Sequence, residues 1–339
     1  MSNPISYNFN VVNNIKQIDK PNYVYLGTKN KNIYIEIDPN SLIAEYKIDD
    51  NFEKPIGSGG NYCFFAGKTQ DGKPCAIGVY EHQDLVEALS RAISAAQFKD
   101  LHIPRVIGTT AIKDRYGKYY PAIVYERIFG KNGMKYLETR PSIDSMIQVL
   151  SQVAEAIDYM HQEGCIHNDI KWSNIMIGNT DPNSQNQNNA YLLDIEKILR
   201  IGTSTTYEEG IFVTSTYMTP EQAEAIDKET SVTNESYIDY WKLGVMYLFA
   251  ISNGNIQIPF LNINNQFVNS TRVVSAEMAE TQRTGKIPFK YEYLRDDLKP
   301  EYTNIVDRLS IFFGENDNPH NYRNMKSAKE VIGYLSLQD

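Results

Sequence analysis

The apolar positions of this 339-residue chain change rhythm near residue 130. Before that point they come in short runs. Residues 23–26 and 33–37 flank Gly27-Thr28-Lys29-Asn30, and the second run alternates, so the two predict a β-hairpin. Residues 45–80 predict three strands. The glycine-rich stretch Pro55-Ile56-Gly57-Ser58-Gly59-Gly60-Asn61-Tyr62 links the first two, and Asp71-Gly72-Lys73-Pro74 turns the chain into the third, Cys75-Ala76-Ile77-Gly78-Val79. Residues 104–108 and 120–126 predict two more, joined by a turn at Asp114-Arg115-Tyr116-Gly117. One helix interrupts them at 83–97, where Val86, Leu89, Ile93 and Ala96 form a stripe and Glu87 with Arg91 an i,i+4 pair.

Beyond Gly130-Lys131-Asn132-Gly133 the texture becomes helical. Met146, Val149, Leu150, Val153, Ile157 and Met160 keep the period of a helix that Gly164 ends. Residues 181–189 are a polar, Asn-rich insertion expected to be a mobile surface loop, and Tyr191-Leu192-Leu193-Asp194 returns to strand pattern. Residues 237–251 are apolar on all sides apart from Asp239 and Lys242 near the start, which predicts a helix buried in the centre of a lobe. Tyr302, Ile305, Val306, Leu309 and Phe312 mark another helix face, and residues 327–335 a last one. Residues 1–20 read as a loose arm, and 253–290 carry few periodic signals. The pattern as a whole predicts an α+β protein, mostly antiparallel sheet with one helix first and mostly helix afterwards.

Composition narrows this picture. The length fits one two-lobed unit or two domains, and a 42% hydrophobic content supports a sizeable core. No apolar run is long enough to span a membrane, and the first residues lack the basic and apolar regions of a signal peptide. Cys63, Cys75 and Cys165 sit in apolar runs without metal-ligand spacing, as reduced core residues of a cytoplasmic protein. A net charge of -9 argues against nucleic acid as a partner.

The chemistry concentrates in Cys165-Ile166-His167-Asn168-Asp169-Ile170-Lys171-Trp172-Ser173-Asn174-Ile175-Met176. Two apolar runs bracket a polar loop that offers a base at Asp169, a cation at Lys171 and a metal-binding oxygen at Asn174. Upstream, the glycines at 57 and 59 let backbone amides approach phosphate oxygens closely, although a plain hairpin turn would look the same. In order along the chain come Gly57-x-Gly59, Cys75-Ala76-Ile77-Gly78, Val124-Tyr125-Glu126, the polar loop, Asp194-Ile195-Glu196, Thr214-Ser215-Thr216-Tyr217-Met218-Thr219-Pro220-Glu221, Asp239 and Arg323. This ordered set resembles the eukaryotic-type protein kinases over about residues 45–337.

The resemblance implies a bilobal protein-kinase-like fold, with an N-terminal extension carrying the hairpin at 1–44, a small lobe at 45–130 and a helical lobe at 131–339. It implies an ATP- and Mg2+-dependent phosphotransferase, a Ser/Thr protein kinase, whose partner is a protein substrate or a regulatory protein. Position by position, Asp169 would accept or orient the substrate hydroxyl proton, Lys171 would stabilise the transferred phosphoryl charge, and Asn174 and Asp194 would hold magnesium. Ile56, Gly57 and Gly59 would line the nucleotide. Phe64, Ala76 and Met176 would sandwich the adenine, Tyr125 would be the gatekeeper, and Glu126 to Ile128 would supply hinge backbone groups. Thr214 would sit against Asp169 and Lys171, a Ser/Thr-type trait, and Glu221 would pair with Arg323.

Three departures qualify it. Gly78 stands where the family has a phosphate-gripping lysine. Lys68, Lys73 and Arg91 are the nearby candidates to replace it, and Tyr62 occupies the glycine-rich position from which some members supply the lysine instead. Asn168 replaces the arginine that docks an activation-loop phosphate, and Glu196 stands where the family has glycine. Gly78 favours a pseudokinase, a nucleotide-binding or scaffolding module, as the alternative. Asn168 and Glu196 together also resemble the choline/ethanolamine-type small-molecule kinases, against which stand Lys171 and residues 214–221.

Overall fold

The computed structural model describes residues 23–28, 31–36, 46–48, 56–58, 62–69, 71–80, 98–113, 119–184, 188–195, 198–206, 214, 217–252, 291–314 and 317–336. The predicted helix at 83–97, the turn at 114–117 and Gly59, Arg91 and Glu196 lie outside them. The described residues group into two compact units, one within 1–99 and 104–128, the other within 100–103 and 129–339.

The first unit is a sheet. Strands β1 (Tyr23–Thr28) and β2 (Lys31–Glu36) pair as an antiparallel hairpin. Strands β3 (Tyr46–Ile48), β5 (Tyr62–Thr69), β6 (Pro74–Tyr80), β8 (Tyr119–Glu126) and β7 (Val106–Lys113) follow in that spatial order, all antiparallel, and the two-residue β4 (Gly57–Ser58) pairs with β5. Alternation divides the sheet into two faces. Cys63, Phe65, Cys75, Ile77, Val79, Tyr120, Ala122 and Val124 form one apolar cluster. Phe64, Ala76, Val106, Ile123 and Tyr125 form the other. All three cysteines of the chain are reduced and buried.

The second unit is mainly helical. Helix α1 (Gly133–Glu138) precedes α2 (Ile143–Gln162), whose buried stripe is that read from the sequence; the cap Ser142 accepts from Ser145 N–H, and Gly164 takes φ 75° just past the end. Helix α4 (Tyr237–Ile251) buries every residue from Ile238 onward. Helices α5 (Tyr302–Phe313) and α6 (Ala328–Leu335) close the unit, and α3 (Pro220–Asp227) begins with a capping box between Thr219 and Gln222.

Residues 191–194 read as strand, and the structure has β12 at Asn189–Leu192; it pairs with β11 (Ile175–Asn179), which pairs in turn with β9 (Phe129–Asn132), a strand the sequence pattern gave no warning of. Residues 130–133 read only as the point where the texture becomes helical, yet Gly130 pairs with Gly178 so closely that a Cβ on Gly130 would lie 2.0 Å from the Ile177 carbonyl oxygen. Both glycines are required by backbone approach. The remaining short strands are β10 (Cys165–Ile166) with β13 (Leu199–Arg200), and β14 (Ser204–Thr206) with β15 (Ser231–Thr233). Among the described residues no helix is long and apolar enough to cross a membrane.

Gly244 on α4 tests how tightly the helical core is packed. A Cβ there would meet Phe312 Cε1 at 2.3 Å, and Phe312 and Phe313 are fully buried. Alanine brings about 1 kcal/mol of helix propensity, but the overlap costs about 1–3 kcal/mol. Gly244→Ala is therefore expected to lower the melting temperature by several degrees. An unchanged or raised melting temperature in a calorimetric scan would contradict this packing.

Candidate active site

The polar loop hangs between β10 and a 3-10 turn at Trp172–Asn174. Its anchor is Asp239 near the start of α4, fully buried, whose Oδ2 accepts from His167 N–H at 2.8 Å and whose Oδ1 accepts from Asn168 N–H at 2.9 Å. His161 Nε2 lies 2.9 Å from Oδ2. Burial would push the Asp239 carboxyl up, and these hydrogen bonds with the His161 charge outweigh it and hold it below the usual range. His167, also fully buried, accepts from Asp169 N–H at Nδ1 and donates from Nε2 to the Leu193 carbonyl at 2.7 Å. Trp172 Nε1 donates to the Met246 carbonyl, so α4 also fixes the far end of the loop. Asn168 sits at φ 62°, a left-handed conformation in which asparagine is enriched.

These anchors present three side chains in a closed arrangement. Lys171 Nζ donates to Asp169 Oδ1 and Oδ2 at 2.9 and 2.7 Å and to Thr214 Oγ1 at 2.8 Å. Thr214 Oγ1 donates in turn to Asp169 Oδ1 at 3.1 Å. Burial would raise the Asp169 carboxyl, but the Lys171 ammonium overrides it and leaves the group below its usual range. Asp169 is thus an ionised carboxylate already hydrogen-bonded to a hydroxyl.

Asn174 Nδ2 donates to the Asp169 carbonyl at 2.9 Å and to Asp169 Oδ2 at 3.1 Å. Those acceptors fix the amide, so its oxygen points away from Asp169 and is available as a ligand. Leu193 N–H donates to the Asn174 carbonyl at 2.8 Å, which places Asp194, at φ 64°, one residue from a direct tie to Asn174. An amide oxygen and a carboxylate are hard donors of the kind magnesium takes alongside phosphate oxygens and water. Among the described residues no cluster of three or more His, Cys, Asp or Glu could hold a metal, and a magnesium site completed by phosphates needs none.

The described residues expected beside a nucleotide lie in the sheet unit, Met176 excepted. Ile56 is exposed and its N–H donates to the Phe64 carbonyl; Gly57 pairs with Phe64, and Phe64 with Gly78. Ala76 and Tyr125 face one another across β6 and β8, and the Phe64 and Tyr125 rings meet edge to face at 5.8 Å. Glu126 donates its N–H to the Arg105 carbonyl and accepts from Arg105 N–H through Oε1 at 2.8 Å. Ile128 follows in the two-residue link after β8, and Met176 is half-buried in β11 of the helical unit. The backbone of Tyr62 pairs with Tyr80.

Gly78 is more than an absent lysine. A Cβ built there would lie 2.7 Å from Phe64 Cε1 and 3.1 Å from Cζ, so the ring must move for a side chain to stand at 78. An aromatic ring laid over a cross-strand glycine is a known way of covering exposed backbone. Lys68, the other candidate on this strand pair, starts far from Gly78. It shares a face with Phe64 by alternation but pairs with Pro74, four residues along β5, about 13 Å at ~3.3 Å per residue. Lys73 stays in the exposed turn and pairs with Asp71 at 2.7 Å.

Sequence reading overlooked two side chains beside the loop. Gln222 Nε2 donates to Asn168 Oδ1 at 2.7 Å, and Lys242 Nζ donates to Gln222 Oε1 at 3.0 Å and to the Tyr217 carbonyl at 3.2 Å. The only hint was a lysine inside an otherwise apolar helix. Glu221 and Arg323 do meet, at 2.7 Å, with the Tyr322 hydroxyl on the same oxygen.

Two expectations follow. Gly78→Lys is expected to lower stability by about 1–3 kcal/mol by displacing the Phe64 ring, and Phe64→Val in the same chain to recover at least half of that. Denaturant melts of the four-member cycle decide it, and purely additive losses would refute the coupling. Burial pulls the Lys242 ammonium down to about 8, against the attraction of Asp239 and Asp169. Below that pH both folded and unfolded chains hold the proton; above it only the unfolded chain does, so this group makes stability rise from pH 8 towards 10. Lys242→Met should flatten that rise, and a pH series of melts on both proteins measures it.

A family profile described as the protein kinase domain matches residues 51–312. Among curated relatives, the chain is similar to the probable serine/threonine-protein kinase PknB of Lactococcus lactis, 26% identical over 61% of this chain and 31% of that one. It is also similar to its namesake in Corynebacterium glutamicum, 29% identical over 52% and 28%, and to the serine/threonine-protein kinase RAD53 of Saccharomyces cerevisiae, 24% identical over 56% and 23%. The chain thus spans less than a third of the length of these relatives. With the profile covering well over half of its residues, and an antiparallel sheet followed by a helical unit bearing the polar loop, this chain belongs to the protein kinase family.

Proposed function

We propose that the chain transfers the terminal phosphoryl group of ATP to serine or threonine hydroxyls of a protein. The observation that carries this reading is the Asp169–Lys171–Thr214 triangle, in which an ionised carboxylate already accepts a hydroxyl hydrogen bond beside an ammonium. A substrate hydroxyl entering there meets the same acceptor. Its oxygen forms the new bond to phosphorus, the bond from phosphorus to the ADP oxygen breaks, and the hydroxyl proton passes to Asp169. Lys171, beside that carboxylate, would offset charge on the moving phosphoryl group. Asn174 and Asp194 are the residues that would hold magnesium, which when bound neutralises phosphate charge. Thr214 and Lys171 also support the Ser/Thr class, as does the similarity to serine/threonine-protein kinases.

The second reading is a nucleotide-binding or scaffolding module without turnover. It is favoured by Gly78, since Phe64 fills the position from which a cation would meet the phosphates. Removing such a cation costs several kcal/mol of transition-state stabilisation.

One assay separates the two. Purified chain with radiolabelled ATP and Mg2+ is expected to label itself or a serine/threonine peptide library, and Asp169→Asn and Asp194→Asn to lower the rate by at least ~10²-fold. Absence of wild-type labelling, with a nucleotide-dependent rise in melting temperature, would establish the module instead.

A further inference from the structure

Asn168 occupies the position at which a cationic side chain would receive a phosphate, and the structure shows it engaged from within. Lys242 can only donate, and it donates to Gln222 Oε1 at 3.0 Å; Thr219 N–H donates to the same oxygen at 3.2 Å. These two donors fix the Gln222 amide, whose nitrogen must then face Asn168 Oδ1, at 2.7 Å. The second hydrogen bond of Lys242 goes to the Tyr217 carbonyl, at 3.2 Å. Tyr217 follows Thr214 by three residues, its N–H donates to the Thr214 carbonyl at 2.8 Å, and its ring stacks on Phe249 at 5.6 Å. A single buried ammonium therefore grips the segment that follows Thr214 directly and, through Gln222, reaches the loop that supplies Asp169 and Lys171. Lys242, Gln222 and Thr219 are all about 1% exposed or less, so water does not compete for these bonds.

We propose that Lys242 is a positioning residue of the phosphotransfer site, acting through Gln222 and the Tyr217 carbonyl to hold both segments in register without a phosphate on the segment that carries Thr214. This deepens the protein kinase reading and rests on it for its effect on turnover. The bridge joins parts far apart in the chain, from Asn168 through Gln222 to Lys242. It also gives a role to a buried lysine in a helix whose buried positions are, Asp239 apart, mostly apolar. A buried ammonium lowers stability unless its bonds are needed, so an apolar residue of similar length would serve the core equally well.

Hydrogen exchange on the full chain tests this independently of activity. Lys242→Met is expected to speed exchange of the Asn168, Asp169, Lys171 and Tyr217 amides by at least tenfold while the interior amides of α4 stay protected. The melting temperature at pH 7 should stay within a few degrees of wild type. In the phosphotransfer assay kcat should fall at least tenfold with the KM for ATP unchanged, and phosphatase treatment of wild type should change neither kcat nor exchange. Unchanged exchange in those segments, or loosening spread evenly through α4, would overturn the proposal. So would a drop in wild-type kcat on dephosphorylation. If wild type shows no turnover, the phosphotransfer reading falls, and the exchange data alone decide whether Lys242 positions the two segments.

Discussion

A carboxylate taken fully out of water is tolerated only where hydrogen-bond donors converge on it, and Asp239 is such a group. It receives the N–H groups of His167 and Asn168 and the imidazole of His161. Each of those donors belongs to a segment that would otherwise have an unpaired polar group near α4. The arrangement therefore works in both directions. The loop backbone makes the buried charge acceptable, and the charge fixes the loop so that Asp169, Lys171 and Asn174 project together. Removing either partner leaves a buried polar group unsatisfied, which costs about 1–3 kcal/mol for a neutral donor and more for a charge.

The large elements were legible because burial imposes a period on sequence. Met146 through Met160 and the apolar run of α4 can pack only as helices, and both were readable at nearly their observed limits. The polar loop was legible for a different reason: its residue types and spacing are dictated by chemistry, and Asp169, Lys171 and Thr214 do converge. Strand Phe129–Asn132 was not legible. It is four residues long, its exposed and buried positions do not alternate, and it exists because β11 pairs with it. Helix Pro220–Asp227 was hidden within a motif read for its chemistry alone, although its capping box is visible as Thr219 followed three residues later by Gln222.

The departures were visible as letters but not as structure. That Gly78 lacks a side chain is plain from sequence; that Phe64 lies over it depends on a cross-strand register, which no local pattern specifies. Likewise Asn168, Gln222 and Lys242 lie 54 and 20 residues apart in successive steps, so no local pattern joins them. Their meaning is relational. Amide and ammonium side chains placed together in a dry interior restrict one another to a single hydrogen-bonding pattern.

The phenyl ring over Gly78 also bears on how this chain would be detected chemically. An acylating group carried on the phosphates of a nucleotide would react with amines poised near those phosphates, and a lysine on this strand would be one such amine. Here that strand position carries only hydrogen, shielded by Phe64, so of the two motif amines Lys171 alone is present, and it is engaged by Asp169 and Thr214. A survey that counts kinases by strand-lysine labelling would pass over this protein, whether or not it transfers phosphate.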